Sequence, residues 1–270
     1  MTDQTTGMRQ QLAGQSVIEE LLRQQLGVPD RNWFGRLIGD SPLGPDSGPW
    51  YRGALGEMAV GRILATLPPE WTVFHALPIG KKGADIDHLV IGPGGIVTIN
   101  TKNHSGKSVW VAGQTLLVSG QKQQHIPKAD FEATRVTKLL SERMPLLPPA
   151  QPVLAILDPK SLSVKAKPEH TTVLSAARLR RWLVKRPVEL TNEQLAELVM
   201  IIDDPVTWPA PLLPPTENAR LRFAELDTLV RAARRRKMGV GVLGAAAAVA
   251  GIWFVTPLVL AAYIAAMTGL

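Results

Sequence analysis

Apolar positions along the middle of this chain repeat with two different periods. In "YRGALGEMAVGRILATL", residues 51–67, Val60, Ile63, Leu64 and Leu67 recur at helical spacing, and Pro68 and Pro69 end the run. "WTVFHALPI" (71–79), "DIDHLVIG" (85–92) and "GIVTINTK" (95–102) are short apolar runs and predict three strands. "SVWVAG" and "TLLVSG" predict a further hairpin. "PKADFEATRVTKLLSERM", opening at Pro127, predicts a helix, and "PVLAILD" (152–158), bounded by prolines, a buried strand. "TTVLSAARLRRWL" (171–183) reads as a strand running into a helix capped by Ser175. "LTNEQLAELVMII" (190–202) opens with Thr191 and has Gln194 three residues on, a capping-box pattern. Outside this block, a helix is expected near Gln10 to Gln25, with "GDSPLGPDSGP" (39–49) as a linker. "PVTWPAPLLPPT" (205–216) reads as a proline-rich spacer and "ENARLRFAELDTLVRAARRRK" (217–237) as a basic helix. Helix, three strands, hairpin, helix and strand in that order predict an α/β fold: a central mixed sheet flanked by helices.

From Gly239 to Leu270 the pattern disappears. No charged residue occurs in "GVGVLGAAAAVAGIWFVTPLVLAAYIAAMTGL", a run longer than the roughly 20 residues that cross a bilayer core. "RAARRRK" stands directly before it. Basic residues beside a span stay on the cytoplasmic side, so the expectation is a single-pass plasma-membrane protein whose main domain is cytoplasmic. Pro257 leaves a kinked span and a shallow hairpin as alternatives, and the absence of a polar turn favours one span. Four segments follow: a helical extension and linker (1–48), the α/β domain (49–208), a spacer and basic juxtamembrane helix (209–238), and the transmembrane segment (239–270).

Composition sharpens this picture. The 270 residues carry a formal charge of +7 and are 45% hydrophobic, so there is enough apolar material for a core and a preference for anionic partners. Cysteine is absent, which excludes disulfides and thiolate-bound zinc. The first twenty residues have no apolar core and do not read as a signal peptide. Arg231, Arg234, Arg235, Arg236 and Lys237 abut the span and suit anionic lipid headgroups.

Candidate chemistry gathers at the hairpin of residues 85–102. Gly92-Pro93-Gly94-Gly95 suits a type II turn. If Ile91 pairs with Ile96, Asp87 lies opposite Asn100 and Asp85 opposite Lys102, with all four side chains on one face. Glu57 lies three residues before Val60 and continues the inward stripe of its helix, with Gly56 and Gly61 allowing close approach. Carboxylates that hold magnesium, with a lysine beside them, are the parts of phosphodiester hydrolysis. The same residues also admit plainer roles. Asp85 and Lys102 could form a cross-strand ion pair, Glu57 could favour its helix terminus through the dipole, and Asp87 could make a turn contact.

"GALGEMAVGRIL", "DIDHLVIGPGGIVTINTKNHSG" and "PKADFEATRVTKLL" together resemble the nuclease-related domain family, NERD, a divergent branch of the PD-(D/E)xK restriction-endonuclease-like superfamily. The resemblance spans Trp50 to Asp158. It implies a restriction-endonuclease-like core and metal-dependent hydrolysis of DNA or RNA. By position, Glu57 matches the family's first-helix glutamate, Asp87 the aspartate before the turn and Lys102 the motif lysine. The catalytic set implied is Glu57, Asp87, Asn100 and Lys102, with Glu57, Asp87 and Asn100 facing magnesium, or manganese as the alternative. Two departures stand out. Asn100 occupies the place of the motif carboxylate, and "PKAD" stands where the family often has glutamine after proline. An amide oxygen can still coordinate a metal but brings no charge. A catalytically impaired member that binds nucleic acid, or scaffolds partners at the membrane, is therefore the second reading.

The five histidines show no zinc-ligand spacing. His88 alternates away from Asp87 and is expected to be packed on the opposite face, while His104, just past Lys102, is within reach of a phosphate. Lys81, Lys82, Lys102, Lys107, Lys122 and Lys128 cluster in sequence around the hairpin. They form either a phosphate-contacting surface or an ordinary solvated one.

Overall fold

A computed structural model describes residues 7–80, 85–209 and 218–268. The expected helix at Gln10 to Gln25 appears as a 3-10 turn, Met8–Gln10, followed by α1, Gln15–Gln24. A six-residue helix not anticipated from the pattern, α2, spans Trp33–Ile38. The first long amphipathic helix, α3, spans Ser47–Leu64 and begins inside the expected linker. Three strands follow within a residue or two of their expected bounds: β1 (Thr72–Pro78), β2 (Asp85–Gly92) and β3 (Gly95–Asn103). The hairpin β4 (Ser108–Ala112) and β5 (Thr115–Val118) continues into a short β6 (Gln121–Gln123). Next come α4 (His125–Ser141), β7 (Gln151–Leu157), β8 (Ser161–Ala166), β9 (Thr172–Ser175), α5 (Ala176–Val184) and α6 (Asn192–Asp203). The last helix, α7, spans Ala219–Thr268.

The fold is mixed α/β. Five strands form one sheet in the order β1-β2-β3-β7-β9. β1, β2 and β3 pair antiparallel, and β3, β7 and β9 pair parallel. Helices cover both faces. On one, Val136 and Leu140 of α4 and Leu198 and Ile202 of α6 pack against Phe74, Leu89, Ile91 and Ile96. On the other, Val60 and Leu64 of α3 and Leu179 and Leu183 of α5 pack against Val90, Val97, Ile99 and Val153. The second sheet, β6-β5-β4-β8, rests its apolar face on Ile126, Leu154 and Ile156. Burial on both faces explains why β2, β3 and β7 read as nearly continuous apolar runs.

Caps and turns follow local chemistry, with two corrections. The capping box at α6 forms in full: Gln194 N–H donates to Thr191 Oγ1 at 3.3 Å and Thr191 N–H to Gln194 Oε1 at 2.9 Å. Ser175 sits at the N-cap of α5, but its side chain makes no capping bond. The hairpin turn is not type II. Gly92 pairs with Gly95, and the left-handed residue is Gly95 (φ 100°) rather than Gly94.

The described residues group into two compact units. One holds those of 1–21 and 48–217, the other those of 22–47 and 218–270. In the second unit, α2 packs on α7. The expected basic helix and apolar span are one unbroken helix with Pro257 inside it, so no hairpin interrupts the run. Its apolar stretch is long enough to cross a membrane and none of it is buried.

Candidate active site

The site lies where β2 and β3 part. The expected register holds from Ile91–Ile96 to His88–Ile99 and then stops. Asp87 does not pair with Asn100. Its carboxylate instead accepts the backbone N–H of Thr101 at 2.6 Å. On the other side of β2, pairing with β1 runs through His75–His88 and Leu77–Ile86 and skips Ala76, whose φ is +49°. The ladder is thus interrupted on both flanks of Asp87. Asp85 does not face Lys102 across the hairpin; it pairs with Pro78 of β1.

α3 reaches this point through Gly56. A Cβ there would stand 3.2 Å from the Cβ of Asn103 and 3.5 Å from Cγ2 of Thr101. Asn103 ties the contact by donating to the Arg52 carbonyl at 2.9 Å. The next residue, Glu57, is buried. Burial raises its carboxyl well above the ordinary value, the charges of Asp87 and Asp85 raise it further, and Lys102 and Lys128 pull it down. Asp85 is pushed up to about 6 by burial and by Asp87, against a hydrogen bond from Ser16. Glu57, Asp85, Asp87 and Lys102 therefore share one electrostatic environment.

Asn100 is buried and is held by a residue the sequence reading passed over. Its amide nitrogen donates to Glu132 on α4 at 2.9 Å. Glu132 also meets the Lys128 ammonium at 3.6 Å. Burial and Asp87 raise the Glu132 carboxyl to about 7, against the Asn100 hydrogen bond and the two lysines. The signal for Glu132 was present: it stands on the buried stripe Ala129, Ala133, Val136, Leu140 of α4, as Glu57 does on α3. Lys102 is half-buried, and its ammonium donates to the Thr101 carbonyl at 3.1 Å.

Among the described residues, four buried oxygens in this cluster have no hydrogen-bond partner: Glu57 Oε2, Asp85 Oδ2, Asn100 Oδ1 and Thr101 Oγ1. Unpartnered buried polar atoms are rare and call for an explanation. Among the described residues, no three acidic or histidine side chains stand close enough together to form a ready-made metal cage. The fit to a cation rests on donor chemistry: carboxylate and amide oxygens, three of them partnerless, suit a hard divalent ion.

The histidines form two pairs. His75 and His88 meet through Nδ1 atoms at 2.7 Å, with His88 fully buried and held neutral by burial and by His75. Cε1 of His75 lies 3.8 Å from where a Gly61 Cβ would stand, placing that pair against α3. His104 and His125 stack with Nε2 atoms 3.2 Å apart. Burial, then Lys102, His104 and Lys128, lower His125 to about 3. Of the expected lysine cluster, Lys107 and Lys102 press on His104 and Lys128 on His125. Lys122 is exposed, and Lys81 and Lys82 lie outside the described residues.

Helix, hairpin, lysine strand and second helix are the pieces that the motifs marked. Residues 52–157 match the nuclease-related domain family, NERD. The match runs from the middle of α3 through β7 and includes every residue of the cluster except Ser16. No curated protein and no solved structure matches the chain.

Proposed function

We propose that this chain is a membrane-anchored, metal-dependent nuclease. The observation that supports it most is the set of partnerless buried oxygens within a carboxylate cluster inside the NERD segment. Glu57, Asp87 and Asn100 would hold magnesium or manganese, which when bound supplies Lewis acidity toward a phosphodiester and toward water. The chain's own residues do the rest. Glu132 takes the amide N–H of Asn100, which leaves the Asn100 carbonyl oxygen as the free donor. Lys102 brings positive charge to a phosphate in the cleft. Glu132, with its carboxyl near 7, is suited to hold or release a proton near neutrality.

A cationic groove supports a nucleic-acid partner. It has a volume of about 780 Å³ and its lining includes Lys167, Arg178, Arg181, Trp182, Lys185 and Arg186. Arg186 is engaged, by Glu189 and by the Trp182 ring. Lys167, Arg178, Arg181 and Lys185 are exposed and form no ion pair among the described residues. Arg178 and Arg181 of α5 and Lys185 at its C-cap recur at helical spacing and span about 10 Å, the length of roughly three backbone phosphates. The arginine run ahead of the apolar part of α7 supports a cytoplasmic main domain.

Asn100, which adds no charge, favours a second reading in which nucleic acid is bound and not cut. One assay separates the two. The full chain in non-ionic detergent is mixed with end-labelled DNA and RNA in magnesium, manganese or EDTA. Metal-dependent cleavage that falls about 100-fold in Asp87→Asn supports the nuclease; that isostere can still accept the Thr101 N–H. Binding in EDTA with no cleavage in either metal supports the second reading.

A further inference from the structure

In the unit that carries the apolar helix, α2 exposes three large apolar side chains. Trp33, Phe34 and Leu37 are 75%, 53% and 60% exposed, and the two aromatic rings meet edge to face. The opposite side of α2 is glycine. Gly35 and Gly39 are buried, and a Cβ on Gly39 would lie 2.4 Å from the Lys237 nitrogen and 2.5 Å from the Ala233 carbonyl of α7. Gly39 also takes the left-handed C-cap conformation, φ 83°, so a side chain is excluded there twice over. Arg236 fastens the contact by donating to the Arg36 carbonyl at 3.0 Å. Asn32 caps the start of α2 through the Gly35 N–H at 2.7 Å.

The level of this contact along α7 decides its meaning. The buried stripe of α7 (Ala219, Phe223, Val230, Ala233) ends at Ala233, and the charge-free run begins at Gly239. At 1.5 Å per residue, Ala233 and Lys237 lie about 9 and 3 Å before that run. The headgroup layer on each side of a bilayer core is roughly 5–8 Å thick. With the core boundary at the start of that run, the segment Ala233–Lys237 brackets the headgroup layer, and α2 packs on it beside the helix that enters the core. Tryptophan and phenylalanine on an exposed face, with Arg31 and Arg36 in the same segment and the arginines of α7 on the helix it packs against, match the chemistry of an anionic membrane interface.

We propose that α2 is an interfacial membrane anchor, with Trp33, Phe34 and Leu37 dipping into the boundary between headgroups and acyl chains beside α7. It rests on the reading of α7 as a membrane span, and it adds a second, shallow point of attachment.

The absence of cysteine makes site-specific labelling direct. Single variants Phe34→Cys, Leu37→Cys, Val249→Cys and Lys138→Cys carry a nitroxide in the full chain, reconstituted into vesicles of mixed zwitterionic and anionic phospholipid. Accessibility to oxygen and to a water-soluble nickel complex gives depth. Position 249 is expected deep and position 138 in water. Labels at 34 and 37 are expected at shallow depth, with nickel accessibility several-fold below position 138. If 249 is deep while 34 and 37 match 138, the anchor is refuted and the span survives. If 249 itself is in water, the span fails and the anchor with it. Protection at 34 and 37 with spin–spin broadening that vanishes on dilution with unlabelled chain assigns the face to a second copy and overturns the proposal.

Discussion

Asn100 brings no charge of its own to the cluster, and its hydrogen-bond partner is a carboxyl from another element, Glu132. The carboxylate at 132 accepts the amide N–H, and its own ionisation is opposed by burial. With its carboxyl raised from 4.5 to about 7, the folded protein binds that proton more tightly than the unfolded chain does. The stabilising contribution is complete below the unfolded value and is lost as pH rises through 7. Glu132→Gln keeps an oxygen to accept from Asn100 and removes the ionisation. The variant should be more stable than wild type at pH 8 in EDTA, by up to about 3 kcal/mol, and the difference should vanish below pH 4.5. Thermal unfolding of both proteins across this range measures it; a constant difference across pH would contradict the assignment.

At the level of elements, the hairpin shows how tightly backbone spacing is set. Gly92 ends β2 under the Trp71 ring: a Cβ there would meet ring atoms at 2.3 Å. Gly92→Ala should cost about 1–3 kcal/mol through overpacking, read as a lower denaturation midpoint with an unchanged slope. Most strands and long helices were legible because their apolar faces are buried on both sides of one sheet, as with β2, β3 and α4. The inward stripe of α3 likewise revealed Glu57. What escaped was set by tertiary contacts. α2 is six residues long and is shaped by glycines that fit α7, which no periodicity shows. The break in pairing at Asp87 depends on its side chain displacing a backbone acceptor for Thr101. Glu132 was visible on the apolar stripe of α4, yet its meaning depended on meeting Asn100 across 32 residues. The histidine pairs join residues 13 and 21 positions apart, spacings that carry no ligand signature.

At the scale of the whole molecule, one unit holds a cationic groove and a carboxylate cluster, and the other holds the apolar helix. Arg178→Ala, Arg181→Ala and Lys185→Ala together should weaken oligonucleotide binding in EDTA and lower the slope of log affinity against log salt by roughly 3. Lys138→Ala, Arg143→Ala and Lys160→Ala together remove the same charge from exposed positions elsewhere and should leave that slope nearly unchanged. Fluorescence anisotropy across a salt series distinguishes the two triples. Equal effects would reduce the groove to bulk charge.

The central claim, that the carboxylate cluster is a metal centre, is tested most directly by calorimetric titration of manganese into the full chain in non-ionic detergent at pH 8. One site is predicted for wild type. Glu57→Gln and Asp87→Asn should each weaken it at least about 10-fold, and Asn100→Glu should tighten it by adding a hard anionic oxygen. No saturable heat in wild type, or a site that none of these substitutions moves, would contradict the account.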